Sequence, residues 1–228
     1  MTKTTLAFGL TFIATFCAAL AASAQMAPAR AFVPAPPGAI VERQLVGFNS
    51  EGIADRWPVL LSKKLVGSAA GRRFYQWYLS IYAPKRGAYR LRYESPGNGG
   101  PLSRVTQARD ATIWFPMQEA RIVGSAPLLR AGIRQLIVAS HEIGADCGGA
   151  TITIFGAKPG NTVGPIATVT NPCDLEAKIG ADGASLILTG PYYAANAPLC
   201  CPTNAHATAT LRYSNGKWTE SPKYFKVD

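Results

Sequence analysis

The sequence predicts a mainly β fold, an antiparallel sandwich or barrel-like set of sheets with disulfides and little helix. Apolar and polar residues alternate over short runs, which is typical of half-buried strands. Turns rich in glycine and proline separate these runs at roughly ten-residue spacing, as in β-sandwiches. Asp182-Gly183 and Asn215-Gly216 are favoured hairpin centres because both positions tolerate positive φ.

Residues 1–24 have the pattern of a secretory signal peptide. Lys3 precedes an apolar run that ends at Leu20, and Ala22 and Ala24 are the small residues that cleavage requires. The run is shorter than the roughly 20 residues of a membrane helix, and no stop-transfer pattern follows, so an N-terminal anchor is the weaker alternative. We therefore expect an exported protein, periplasmic or secreted, with no stable membrane span after signal cleavage.

The rest of the chain divides by composition. Residues 25–45 form an Ala/Pro-rich lead-in of flexible, polyproline character. Residues 46–134 are predicted as an N-terminal β region, and residues 135–228 as a C-terminal disulfide-stapled β region. One domain or two are both compatible with this length.

The N-terminal region contains one clear hairpin. Aromatic and aliphatic residues alternate with polar ones over 75–81 and 89–93, and residues 84–87 supply the turn. Residues 113–115 and 120–123 have the composition of short strands. Residues 127–133 are the only segment that favours a helix, of one or two turns.

The C-terminal region is a succession of short strands joined by tight turns. Residues 158–161 form a turn centred near Gly160. β-Branched or alternating residues predict strands at 135–139, 151–155, 166–170, 175–179, 185–189, 206–213 and 217–218.

Four cysteines follow the signal peptide: Cys147, Cys173, Cys200 and Cys201. In an oxidising compartment an even number predicts disulfides, whereas the pair spacing of a zinc site is missing. Cys147 and Cys173 are equidistant from Gly160, at the open end of a hairpin, where paired strands bring Cα atoms within disulfide range. That pairing leaves Cys200 bonded to Cys201. The alternative links each of these two to a different upstream cysteine.

The C-terminal segment resembles a known family. Gly190-Pro191-Tyr192-Tyr193, Cys200-Cys201-Pro202-Thr203 and the strand residues Leu211-Arg212-Tyr213 are similar to the LppP/LprE family of exported bacterial lipoproteins. The resemblance covers the C-terminal Cys-Cys-Pro region only. It implies an envelope location and a related fold but no assigned activity. The chain departs from the family in lacking a lipid-acceptor cysteine.

No catalytic residue, metal site or cofactor is predicted. The two histidines are His141, beside Glu142 and Asp146, and His206, on the polar face of its strand. The His141 group could serve acid–base chemistry or metal binding, but a polar loop explains it equally. No serine-hydrolase, metalloprotease or phosphate-loop motif occurs. A thiol enzyme would require a histidine brought to Cys200 or Cys201 by the fold.

The net charge of +10 and its placement are explained by a solvated basic face, and they also make an anion-binding surface a candidate. Basic residues interleave with aromatic ones in the first half of the chain, and export argues against nucleic acid as a partner. The predicted surface comprises Lys85, Arg86, Arg90, Arg92, Tyr89 and Trp77.

The sequence thus indicates an exported, non-catalytic envelope protein that serves as a structural or binding module. An anionic glycan or lipid of the envelope is the candidate ligand in one alternative. A secreted hydrolase or thiol enzyme is the other. A concave site containing either histidine would distinguish these alternatives.

Overall fold

The structure, a computed structural model, describes residues 35–36, 38–48, 56–69, 72–85, 88–95, 117–130, 132–143, 149–160, 162–198 and 202–228. All of them belong to one compact unit, Ala31–Asp228.

The described residues form thirteen strands and no helix. The strands are β1 (Ala39–Val46), β2 (Trp57–Ala69), β3 (Arg72–Lys85), β4 (Ala88–Ser95), β5 (Met117–Arg130), β6 (Ile133–Ile143), β7 (Ala150–Lys158), β8 (Thr162–Asn171), β9 (Glu176–Ile179), β10 (Leu186–Tyr192), β11 (Asn204–Ser214), β12 (Lys217–Ser221) and β13 (Lys226–Val227). None of the described segments is a helix with the length and hydropathy needed to cross a bilayer.

The strands make three antiparallel sheets stacked in three layers. Sheet A has the order β1-β2-β3-β4, sheet B the order β13-β8-β7-β6-β5, and sheet C the order β12-β11-β10-β9. One core cluster lies between sheets A and B, and it includes Trp57, Ile81 and Phe155. A second core lies between sheets B and C, and it includes Ile152 and Leu188.

Sheet B is therefore the middle layer and is buried on both faces. In β6, Leu136 and Val138 pack toward sheet A, whereas Ile137 and Ala139 pack toward sheet C. Successive strand residues point to opposite faces, so a strand covered on both sides has an unbroken apolar run instead of an alternating pattern.

A β-bulge lets β5 serve both cores. Ala120 and Ile122 pack toward sheet A, but Ala126 and Leu128 pack toward sheet C. The register shifts between Ile122 and Gly124. One extra residue at that point reverses the facing of every later side chain.

Both edges of sheet B are contacted by other parts of the chain. At one edge, the Ile122 amide in β5 donates a hydrogen bond to Glu42 Oε2 of β1 at 3.1 Å. At the other, β13 pairs with β8, and Asp228 and Thr168 exchange two backbone hydrogen bonds of 2.9 Å. Each contact protects only part of its edge strand.

The predicted fold class is confirmed: the protein is mainly β and its sheets are antiparallel. The predicted strands at 120–123 and 135–139 lie inside β5 and β6, and the 75–93 hairpin is β3–β4. Strands β1 and β2 were not predicted, and β1 begins within the expected lead-in. The predicted strand at 113–115 lies outside the described residues.

The predicted helix at 127–133 is wrong. β5 continues to Arg130, and Arg130 pairs with Ile133 of β6. Gly132 supports the reversal with φ of 85°. Leu128 is buried in the core shared with sheet C, and Gln135 Oε1 accepts the Leu129 amide at 3.0 Å. Burial and strand pairing therefore override the local helical preference.

Cys173 follows β8 and is buried. It is disulfide-bonded, and its sulfur accepts a hydrogen bond from the Tyr193 hydroxyl at 2.9 Å. Cys147, Cys200 and Cys201 lie outside the described residues, so the identity of its partner stays a prediction.

Candidate ligand-binding cleft

A cleft of about 340 Å³ brings residues of all three sheets together. Volumes of this order are sufficient for a small ligand. Its lining includes three apolar residues, Ala120, Ala139 and Leu175. Its rim carries six ionisable side chains, Lys63, Glu119, Arg121, His141, Asp174 and Glu176.

Sheet A contributes an oriented ammonium group to this cleft. Lys63 of β2 lies opposite Trp77 of β3 in the register. Its Nζ is 4.8 Å from the centroid of the Tyr75 ring and 5.5 Å from that of Trp77. These distances are in cation–π range, so the two rings hold the ammonium group in a preferred position.

Sheet B contributes His141 together with Glu119 and Arg121. Glu119 of β5 and His141 of β6 are direct cross-strand partners and share one face of the sheet. Arg121 lies two residues along β5 and therefore projects from the same face.

The chain between sheets B and C contributes two further carboxylates. Asp174 precedes β9, and its Oδ1 lies 3.8 Å from Nδ1 of His141. Glu176 is the first residue of β9. Side-chain exposure of 40% for His141 and 75% for Asp174 leaves both groups accessible to a ligand.

Two contacts position Asp174. The buried Asn171 side chain donates hydrogen bonds to the carbonyls of Asp174 at 2.8 Å and Pro191 at 2.9 Å. Gly190 allows the backbones to approach closely, since a Cβ there would lie 2.5 Å from the Asp174 carbonyl oxygen. The 171–174 segment is thereby fixed against β10.

The cleft does not assemble a nucleophile with His141 among the described residues. Ser140 lines the cleft, but it is the neighbour of His141 in β6 and projects from the opposite face. Its hydroxyl is oriented toward the Thr151 carbonyl, 3.4 Å away. Within the described part of the chain, no three His, Cys, Asp or Glu side chains converge as metal ligands.

The structure separates the predicted anion-binding residues into two groups. Trp77 lines the His141 cleft, whereas Lys85 is eight residues further along β3, about 26 Å at the usual strand rise. Lys85 and Arg90 are exposed, and Tyr89 and Arg92 are half-buried. Arg86 lies outside the described residues.

Charge is distributed unevenly among the layers. The strands of sheet C hold three basic and two acidic residues. Those of sheet A hold two acidic residues, Glu42 and Glu94, and eight basic residues, Arg43, Lys63, Lys64, Arg72, Arg73, Lys85, Arg90 and Arg92.

The two carboxylates of sheet A are already engaged. Glu42 accepts the Ile122 amide, and Glu94 accepts the Ser80 hydroxyl at 3.4 Å. The described residues form three ion pairs, and none of them includes a sheet A side chain. The excess positive charge of this layer is therefore not neutralised by the described carboxylates.

Comparison of the chain with protein-family models, curated proteins and solved structures finds no match. The resemblance to the LppP/LprE family thus remains a prediction.

Sequence reasoning identified His141 but not its contacts with other strands. It grouped His141 with Glu142 and Asp146; Asp146 and the Glu142 side chain lie outside the described part of the structure, so that grouping stays a prediction. The described contacts join His141 to Glu119 and Asp174. His206 is exposed near the start of β11, and it does not line the cleft. Lys63, Arg121 and Glu176 were not selected because they lie far apart in the chain and share no local motif.

Proposed function

We propose that this protein is an exported, non-catalytic module of the cell envelope that binds an anionic glycan through sheet A. The observation that carries the proposal is the charge of this layer, eight basic against two acidic residues in its strands. These cations form no ion pair with a described carboxylate, and such a surface of one charge sign attracts a polyanion at long range.

The extent of the array favours a polymer over a compact anion. Arg73 and Lys85 lie at opposite ends of β3, about 40 Å apart at the usual strand rise. Arg90 extends the array onto the neighbouring strand β4, and Lys64 of β2 adds positive charge on the opposite face of the sheet. A linear glycan with repeated carboxylate or phosphate groups can contact several of these cations at once, and such multivalent contact raises the overall affinity.

The signal-peptide pattern supports export, as does the disulfide at Cys173, because such bonds persist in oxidising compartments. The mature chain would begin at Gln25 by this interpretation. The intact mass of the protein recovered from an exported fraction tests this assignment. Retention of residues 1–24 would contradict it.

The binding proposal is tested by retention on an immobilised acidic polysaccharide across a salt gradient. Replacing Lys64, Arg73, Lys85 and Arg90 by Gln should move elution to much lower salt, because exposed charges are screened over about 8 Å at physiological ionic strength. A matched control replaces four exposed lysines elsewhere by Gln: Lys158, Lys178, Lys217 and Lys223.

The two variants have the same net charge, so they separate a localised surface from a general charge effect. Equal elution of both variants would refute the assignment to sheet A. If the protein bound anionic lipid vesicles but not the polysaccharide, the glycan proposal would be wrong and a lipid headgroup would be the ligand of sheet A.

A further inference from the structure

The His141 cleft has a charge pattern unlike that of the rest of the surface. The whole chain has 13 acidic residues against 23 basic ones. Three of the acidic residues, Glu119, Asp174 and Glu176, nevertheless line this one cleft. On a strongly basic protein such a cluster is a local site where a positively charged group can be held.

The same cleft also contains two basic side chains. Lys63 and Arg121 line it, and Lys63 is held over the Tyr75 and Trp77 rings. Neither cation forms an ion pair with a described carboxylate, although three carboxylates share the cleft with them. Opposite charges thus line one concavity without contacting each other.

We propose that this cleft binds a small zwitterion of the amino-acid type, with one ammonium group and one carboxylate. The ligand ammonium contacts one or more of Asp174, Glu119 and Glu176, and the ligand carboxylate contacts Lys63 or Arg121. The apolar residues Ala139 and Leu175 accommodate the carbon chain between them.

Ligands with a single charge fit this arrangement less well. The three carboxylates repel a simple anion, and Lys63 and Arg121 repel a simple cation. A zwitterion can contact the carboxylates with its ammonium group and the basic side chains Lys63 and Arg121 with its carboxylate at the same time. His141 lies 3.8 Å from Asp174, among the carboxylates that face the ligand ammonium.

This inference is independent of the glycan proposal. The site is different, and Lys64, Arg73, Lys85 and Arg90 are absent from the cleft lining. Failure of either proposal therefore leaves the other standing.

The test is calorimetric titration of the full chain at low salt with alanine, β-alanine, γ-aminobutyrate and ε-aminohexanoate. This series increases the distance between the two ligand charges. We expect at least one member to bind, and its N-acetylated and carboxamide derivatives to bind about tenfold or more weakly, because each loses one charge contact.

Variants assign the site. Lys63→Gln and Asp174→Asn should each weaken binding of the best probe by about tenfold or more. Lys64→Gln and Asp228→Asn are the controls, because Lys64 projects from the other face of β2 and Asp228 lies beside β8, away from the cleft. The affinity of each control for the probe should stay within about twofold of that of the parent.

Thermal unfolding of each variant verifies that it is folded. The inference is overturned if no probe binds, if a blocked derivative binds as tightly as its parent, or if Lys63→Gln and Asp174→Asn leave the affinity unchanged in folded protein.

Discussion

Tyr93→Phe should stabilise the protein by removing a buried hydroxyl group from sheet A. Tyr93 lies in β4 with 6% exposure, between sheets A and B. Its ring packs edge-on against Phe155, with the centroids 5.1 Å apart. Its hydroxyl is buried and has no hydrogen-bond partner among the described residues. Burial raises the pKa of Tyr93 to about 12.

The expected gain follows from the cost of burying that hydroxyl. An unsatisfied buried polar group costs about 1–3 kcal/mol. The phenylalanine ring keeps the Phe155 contact, and the void left by one oxygen atom subtracts only about 0.3 kcal/mol at 24 cal/mol per Å³. The free energy of unfolding should therefore rise by about 1 kcal/mol, which moves a urea midpoint up by about 0.5 M for an m-value near 2 kcal/mol/M.

Urea unfolding followed by fluorescence measures this change, and Tyr82→Phe is the matched control. Tyr82 is 1% exposed on the neighbouring strand β3, but its hydroxyl hydrogen-bonds to Ser80. Its removal should lower stability by about 1 kcal/mol. A loss of stability in Tyr93→Phe equal to that in Tyr82→Phe would show that the Tyr93 hydroxyl has a partner in solution and would refute the reasoning.

The same group predicts alkaline behaviour. Its pKa is raised in the folded state, from 10.0 to about 12, so folding opposes ionisation of Tyr93, and the pH-dependent part of the parent's stability is complete below pH 10. This stability is lost as the pH rises from about 10 to about 12. Stability curves of the parent and Tyr93→Phe should therefore diverge further across that interval, and parallel curves would contradict the assigned pKa.

Three other predictions concern the chain around β9 and β10. Gly190→Ala should lower the free energy of unfolding by about 2 kcal/mol or more, because its Cβ would lie 2.5 Å from the Asp174 carbonyl oxygen; a neutral effect in urea unfolding would show that the segment yields. The Ser185 hydroxyl is the chief cause of the lowered pKa of Asp182. The ionised carboxylate therefore contributes stability above pH 3.8, and this stability is lost on acidification through the lower folded pKa. Asp182→Asn should lose less stability on acidification than the parent, and an unchanged acid transition would contradict the prediction. Non-reducing peptide mapping should join Cys173 to Cys147, and a peptide joining it to the 200–201 segment would establish the alternative pairing.

The fold could be predicted where one face of a strand is exposed. In β11, Ala207, Ala209 and Leu211 are buried and alternate with polar residues, and this strand was recognised almost to its ends. β2 was missed because its apolar alternation is interrupted. Lys63 occupies an inward-facing position of this strand, next to the end of the core. The layer order could not be predicted because a doubly buried strand such as β6 has no alternation.

The cleft could not be predicted because its parts meet only through the packing of three sheets. Lys63 and Glu176 lie more than a hundred positions apart in the sequence, and no spacing rule connects them. Trp77 was selected for its basic neighbours in the sequence. The structure instead places it eight residues from Lys85 along β3, in the lining of the His141 cleft.

The order of the layers along the chain has a consequence for the nascent protein. Sheet A is complete at Ser95, but the surface that buries its inner face is sheet B, which begins at Met117. Until β5 to β8 have been synthesised, Leu61, Leu79 and Ile81 have no opposing layer. Exposed strands of this kind are prone to aggregation.

The middle layer also depends on a short strand far along the chain. β13, at Lys226–Val227, pairs with the β8 edge of sheet B. A nascent chain in which β13 has not yet been synthesised therefore exposes the backbone of β8, even though sheet A is already formed.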